Sequence, residues 1–332
     1  MLIIWTLVFV VSLVALVKGA DWLIESAEKI GLAFGMTPFV VGAVIVGAGT
    51  SFPELVSSLA AVGKGVTDVV VANAIGSNIA NILLIVGISA IISRRLFVTK
   101  NLINLDLPLL AISTVLLLGV VWDQQVTLGE SIILLVAYGI YLLYTLFHKE
   151  DEMETNAWQE MLPSRKERRG QLSLQKENIV ARPKLVVKDF ILLLVGILAL
   201  VLGAEYLIEA LINLSTLLNV GTGMIAITAV AIGTSLPELM VSAKAAFRHK
   251  SDVALGNIFG SNVFNALVVV GLPGLFGTLA VDSQTFIIGV PAVAFATLIF
   301  IISAISRKVY IWEGVFFLLL YVLFIAKLFN WF

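Results

Sequence analysis

Gly49-Thr50-Ser51-Phe52-Pro53-Glu54-Leu55 and Gly233-Thr234-Ser235-Leu236-Pro237-Glu238-Leu239 are two copies of one pattern, set 184 residues apart. The same offset pairs Asp68-Val69 with Asp252-Val253 and Asn73 with Asn257. It also pairs Gly76-Ser77-Asn78 and Asn81 with Gly260-Ser261-Asn262 and Asn265, and Gly87 with Gly271. Upstream, Gly19-Ala20-Asp21-Trp22-Leu23-Ile24-Glu25 answers to Gly203-Ala204-Glu205-Tyr206-Leu207-Ile208-Glu209. Apolar segments resemble one another by chance, but chance does not align Gly, Thr, Ser, Pro, Glu and Asn at one fixed offset. The chain is read as a duplication, in register without a gap from about residue 18 to 87.

Those polar motifs lie in an apolar chain. Of 332 residues, 60% are hydrophobic and 13% charged, and the mean hydropathy is +1.06. A soluble domain carries about twice that charge. Runs near 20 residues, apolar on every face, match a bilayer core of about 30 Å. Strict alternation is absent, which argues against a β-barrel. Cysteine is absent, so zinc-thiolate sites and thiol nucleophiles are excluded. The only histidines, His148 and His249, fall in polar segments, and no basic patch interleaved with aromatics supports nucleic-acid binding.

Ten spans are expected, at about 2–34, 38–62, 67–92, 104–122, 127–147, 189–217, 223–247, 253–276, 283–304 and 309–330. No basic residue precedes the first apolar run, so residues 1–34 read as a retained helix rather than a cleaved leader. The division is a first five-helix repeat over 1–147, a polar linker over 148–188 and a second five-helix repeat over 189–332. An odd number of spans per repeat forces the copies into opposite orientations. The fold class is therefore an all-α integral membrane protein of ten transmembrane helices in two inverted repeats, an architecture of secondary transporters. The linker holds nine Lys and Arg residues, and with Arg94, Arg95, Lys244, Arg248, Lys250, Arg307 and Lys308 it marks the cytoplasmic side. Both termini are then exterior, in a multi-pass protein of the plasma membrane.

Glu54 and Glu238 fall mid-span. A carboxylate there costs at least about 2.5–3.5 kcal/mol, and no intramembrane arginine matches either one. A bound cation is the simplest compensation; a protonated glutamate hydrogen-bonded inside the bundle is the alternative. Pro53 and Pro237 each remove a backbone donor, freeing carbonyls near residues 47–50 and 231–234 for ion coordination. Thr50, Ser51, Thr234 and Ser235 add hydroxyls one turn away. Asn73, Ser77 and Asn81 share a helix face, as do Asn257, Ser261 and Asn265. These are hard oxygen donors, suited to Na⁺ and Ca²⁺, although such a stripe also serves helix–helix hydrogen bonding. Two carboxylates balance one Ca²⁺ or two Na⁺, so one cage gives mutually exclusive occupancy. Asn78 and Asn262 point away and read as structural. Asp21, Glu25, Glu205 and Glu209 read as interface or packing acids, with Lys18 paired to Asp21; Asp68 and Asp252 suit helix N-termini.

The blocks GTSFPE…GSNIAN and GTSLPE…GSNVFN resemble the α-repeats of the sodium/calcium exchanger branch of the Ca²⁺/cation antiporter superfamily. The resemblance covers both halves and not the linker. It implies alternating access, with helices 1 and 6 sliding across a bundle of the other eight. It implies Ca²⁺ held centrally by Glu54 and Glu238, and Na⁺ sites lined by Thr50, Ser51, Ser77, Thr234, Ser235 and Ser261 with carbonyls near Gly47 and Ala231. Where well-known members carry an aspartate in the second copy, this chain has Asn265, the counterpart of Asn81. The cage is one carboxylate poorer, so weaker Ca²⁺ binding is expected.

The expected partners are Ca²⁺, Na⁺ and the lipid bilayer, with no nucleic acid and no cofactor beyond the transported ions; a monomer is expected, an oligomer being the alternative. The expected activity is antiport of Ca²⁺ against Na⁺ and not enzymatic, since Ser51 and Ser235 have no His or Lys base at their depth. The alternatives are a Ca²⁺/H⁺ exchanger of the same superfamily and a passive cation channel.

Overall fold

The computed structural model describes residues 1–97, 106–147, 183, 185–217 and 235–329. The expected linker, Thr234 and the first half of the expected seventh span lie outside the described residues, apart from the linker's last few positions. The helices are α1 (Leu2–Phe34), α2 (Pro38–Gly63), α3 (Asp68–Ser93), α4 (Leu107–Val120), α5 (Leu128–Phe147), α6 (Val187–Leu217), α7 (Leu236–Phe247), α8 (Ser251–Gly274), α9 (Thr285–Ile305) and α10 (Ile311–Leu328). Among the described residues eight are long and apolar enough to cross a bilayer; α4 is shorter, and α7 is the described part of its expected span. The chain is an all-α membrane protein.

Each half places one helix at the centre. Ser251–Gly274 is wholly buried over its most apolar stretch and Asp68–Ser93 is 72% buried, whereas the corresponding stretch of α1 is only 17% buried. That order follows from composition. α3 and α8 carry small and polar residues that suit helix contacts, and α1 offers lipid a nearly unbroken aliphatic surface. α8 meets α2 backbone to backbone: a Cβ added at Gly260 would lie 1.9 Å from the Ala43 carbonyl oxygen. α1 and α6 pack along much of their length. Gly19 and Gly196 set the spacing, since a Cβ on Gly19 would fall 2.9 Å from the Gly196 carbonyl oxygen.

The duplication extends past residue 87. β1 (Arg95–Phe97) pairs antiparallel with β4 (Lys308–Tyr310), and β2 (Gln125–Val126) with β3 (Leu279–Ala280). Adding 184 to Arg95 gives 279, and adding it to Gln125 gives 309, so each two-stranded sheet is the repeat image of the other. Each sheet ties a strand of one half to a strand of the other.

Candidate functional site

Three local departures from regular helix build the site. α2 runs as π-helix over Val41–Val46, returns to α over Gly47–Thr50, and bends at Ser51 before restarting at Phe52. Pro53 sits at the start of the second piece, as its missing N–H requires. π-helix also covers Ala80–Ile85 in α3 and Asn265–Val269 in α8, at the positions of Asn81 and Asn265. Such bulges re-aim side chains and concentrate at functional sites.

Glu54 and Glu238 each lie in the first turn of a helix segment, the end that favours an anionic side chain. Both are buried, at 0% and 1% exposure. Glu238 Oε1 accepts a hydrogen bond from the Ser51 hydroxyl at 3.0 Å. Glu238 Oε2 and both carboxylate oxygens of Glu54 have no hydrogen-bond partner among the described residues. The same holds for the hydroxyls of Ser77 and Ser235 and for both amide atoms of Asn81 and of Asn265. Buried polar groups are almost always satisfied, and each orphan costs about 1–3 kcal/mol. The π-helical turn of Asn81 packs on α7 and that of Asn265 on the Phe52–Gly63 part of α2, and the orphaned oxygens of the two carboxylates suit a group that supplies positive charge.

A second oxygen cluster adjoins the first. Thr50 Oγ1 lies 3.1 Å from Asn257 Oδ1, 3.2 Å from the Gly47 carbonyl oxygen and 3.3 Å from Ser261 Oγ. Ser261 Oγ is also 3.2 Å from the Gly47 oxygen. Two hydroxyl protons serve four oxygens, an oxygen-rich nest for a hard cation. The sequence expectation of Thr50, Ser261 and the carbonyl near Gly47 meets here, with Asn257 joining them across the repeats. Its repeat image would use Thr234, which lies outside the described residues, with Ser77 and Asn73.

Asn73 and Asn257 act mainly as braces. Asn257 Nδ2 donates to the Glu238 carbonyl at 3.3 Å and to Ser242 Oγ at 2.8 Å. Asn73 Nδ2 makes the image contacts, to the Glu54 carbonyl at 3.4 Å and Ser58 Oγ at 3.3 Å. The Asn257 amide is thereby fixed with its oxygen toward Thr50. Ser58 and Ser242 are parts of the site the sequence reading did not single out; they too stand 184 residues apart. Asn78, read as structural, donates to the Asn262 carbonyl at 3.1 Å and so bonds its own repeat counterpart. The Lys18–Asp21 pairing does not form. Asp21 instead pairs with Lys244 at 2.9 Å and with Arg248, because α1 packs against α7 at that level.

Beyond Ser77, a cavity of about 420 Å³ is lined by Ser57, Ser58, Asn73, Gly76 and Ser77 on one side. Its other wall is α9 and α10, through Gly289, Tyr321 and Phe324. Among the described residues no group of three or more His, Cys, Asp or Glu side chains converges. The donors available are two carboxylates with hydroxyl, amide and carbonyl oxygens, a set that fits Na⁺ or Ca²⁺ and not a soft metal.

The profile of the family described as "Sodium/calcium exchanger protein" matches residues 4–147 and 188–330. "Uncharacterized membrane protein MJ0091" of Methanocaldococcus jannaschii is 32% identical, over 99% of each chain. "Sodium/calcium exchanger MaX1" of Methanosarcina acetivorans is 31% identical, over 97% of this chain and 98% of that one. Among solved structures, that of the sodium-calcium exchanger NCX_Mj soaked with zero Na⁺ and Ca²⁺ superposes with a TM-score of 0.79. The two are 29% identical, over 99% of this chain and 100% of the other.

Proposed function

Because this chain belongs to the sodium/calcium exchanger family, we propose that it is a secondary active antiporter, exchanging Ca²⁺ for Na⁺ by alternating access. The observation that carries this is the pair Glu54 and Glu238: two buried carboxylates, one per inverted repeat, with three of their four oxygens unpartnered among the described residues.

In this reading Ca²⁺ binds between Glu54 and Glu238, with Asn81 and Asn265 turning amide oxygens toward it. The ion needs six to eight oxygens at about 2.3–2.6 Å, and two bidentate carboxylates would supply four of them. Na⁺ binds in the nest of Thr50, Asn257, Ser261 and the Gly47 carbonyl, and in the image site of Thr234, Asn73 and Ser77. Ser51 and Ser235 bridge the sites: Ser51 already touches Glu238, so a change in one site is felt in the other. Since the same negative charge serves both ions, each displaces the other, which is what exchange requires.

The moving unit is α1 with α6. Their close glycine contacts and the Lys29–Asp189 ion pair at 2.7 Å hold them together. The remaining helices, cross-tied by the two strand pairs, form the body they slide over. Residues 1–147 and 189–332 are the two repeats and 148–188 a cytoplasmic linker. Both termini face the exterior of the plasma membrane, and the working form is a monomer.

The test is ⁴⁵Ca²⁺ uptake into proteoliposomes loaded with Na⁺. Uptake driven by the outward Na⁺ gradient and unchanged by a protonophore is the expected result. Uptake that follows a proton gradient instead would assign the chain to Ca²⁺/H⁺ exchange. Non-saturable flux without counter-transport would make it a channel.

A further inference from the structure

We propose that the ion pairs joining α1 to α7 are one of two alternating latches, and that Lys64 with Glu205 and Glu209 forms the other. This rests on the alternating-access reading above.

The first latch is visible. Asp21, Glu25 and Glu28 lie along one face of α1 at helical spacing. Asp21 pairs with Lys244 at 2.9 Å and with Arg248, Glu25 with Arg248 at 3.3 Å, and Glu28 with Lys250. Lys244 lies in the last turn of α7, and Arg248 and Lys250 in the turn to α8, where His249 takes a left-handed φ of 58°. The network is partly shielded, Asp21 being 17% exposed and Lys244 21%. It is therefore worth more than pairs held out in open water. All three cations lie on the side that the charge bias assigns to the cytoplasm.

The repeat supplies the second latch. Adding 184 turns Asp21 and Glu25 into Glu205 and Glu209, one turn apart on α6. Subtracting 184 turns Arg248 into Lys64, at the far end of α2. Three of the charges that make the first latch, Asp21, Glu25 and Arg248, thus have counterparts on the other face of the membrane. In this structure Lys64, Glu205 and Glu209 are all exposed, and none has an ion-pair partner among the described residues. The packing is asymmetric in the same sense. α1 packs on α7, while the image pair, α6 on the Phe52–Gly63 part of α2, makes at most marginal contact among the described residues.

Inverted repeats make the second state the image of the first. In that state Lys64 meets Glu205 and Glu209, and Arg248 leaves Asp21 and Glu25. Because α1 and α6 move as a unit, closing one latch opens the other. The two are unequal: three acids face three cations at the inner latch, and two acids face one cation at the outer. The outer latch lacks images of Glu28, Lys244 and Lys250, whose counterparts are Ile212, Ala60 and Val66. The resting protein is therefore biased toward the state seen here, with the inner latch formed and the outer latch unformed.

The chain has no cysteine, so introduced pairs are its only thiols. Two full-length variants in proteoliposomes are compared under mild oxidation: Glu25→Cys with Arg248→Cys, and Glu209→Cys with Lys64→Cys. Without Na⁺ and Ca²⁺, the first pair cross-links and the second stays reduced. With saturating Ca²⁺, the second appears as the first declines. Arg248→Glu added to the outer pair raises its cross-linking by about fivefold, and Arg248→Lys does not, on the scale expected of a partly shielded charge network. An outer pair that stays reduced under every ion condition and with Arg248→Glu would overturn the proposal. So would full cross-linking of both pairs in one molecule. The readout is a covalent link in the protein, not flux. Reciprocal cross-linking without Na⁺-driven Ca²⁺ uptake would retire the exchange reading alone, and uptake without reciprocity would retire the latches alone.

Discussion

The Ser51 hydroxyl, in the first repeat, donates to Oε1 of Glu238, in the second, at 3.0 Å. Among the described residues this is the only hydrogen bond to either central carboxylate, and it joins the two halves. Ser51→Ala leaves that oxygen without a donor at a cost of about 1–3 kcal/mol. We expect Na⁺ half-saturation to rise on the order of tenfold, with a smaller change for Ca²⁺. Concentration dependence of ⁴⁵Ca²⁺ flux against each ion checks this.

Glu54→Gln and Glu238→Gln remove one of the two charges that hold the cation. Flux falls to background in each. Thermal unfolding gives an independent signature. In chelator the variants melt at or above the parent, since a buried carboxylate is gone. Added Ca²⁺ stabilises the parent, by about 2.7 kcal/mol at a hundredfold excess over its Kd, and leaves the variants unmoved.

Asn265→Asp adds a third acid to the buried set of Glu54 and Glu238. A third carboxylate raises the ligand charge, the property that tunes Ca²⁺ sites across their affinity range. Ca²⁺ binding should tighten on the order of tenfold in an equilibrium titration, with slower release lowering turnover.

Gly260 and Gly76 are repeat counterparts in unlike surroundings. A Cβ at Gly260 would meet the Ala43 carbonyl oxygen at 1.9 Å, while at Gly76 it meets nothing within 4 Å among the described residues. Gly260→Ala should destabilise by about 1–3 kcal/mol or abolish folding through overpacking. Gly76→Ala should be neutral or slightly stabilising, as alanine is the better helix former. Detergent-solubilised melting temperatures compare the two.

Much of this was legible in the sequence because polar residues in an apolar chain are conspicuous. Glu54, Glu238 and their neighbours stood out against aliphatic runs, and the offset of 184 exposed Asn73 with Asn257 and Ser77 with Ser261. What stayed hidden was which atom meets which. That Thr50 faces Asn257 and Ser261 depends on how the halves interlock, and the π-helical turns at Asn81 and Asn265 have no local sequence signal. Asp21 shows the limit most clearly. Lys18 lies one turn away in sequence and looked like its partner, yet the cations that reach it are Lys244 and Arg248, on another helix. Helix periodicity finds neighbours on the same helix, and only packing finds the others.

The central claim is that one cation sits between Glu54 and Glu238. An experimental structure of the purified protein in Ca²⁺ or an electron-dense surrogate such as Sr²⁺ addresses it directly. The account predicts density for the ion within about 2.3–2.6 Å of carboxylate oxygens from both residues, displaced when Na⁺ is raised. Two carboxyl groups hydrogen-bonded to each other with no ion between them, at Ca²⁺ concentrations that saturate transport, would contradict it.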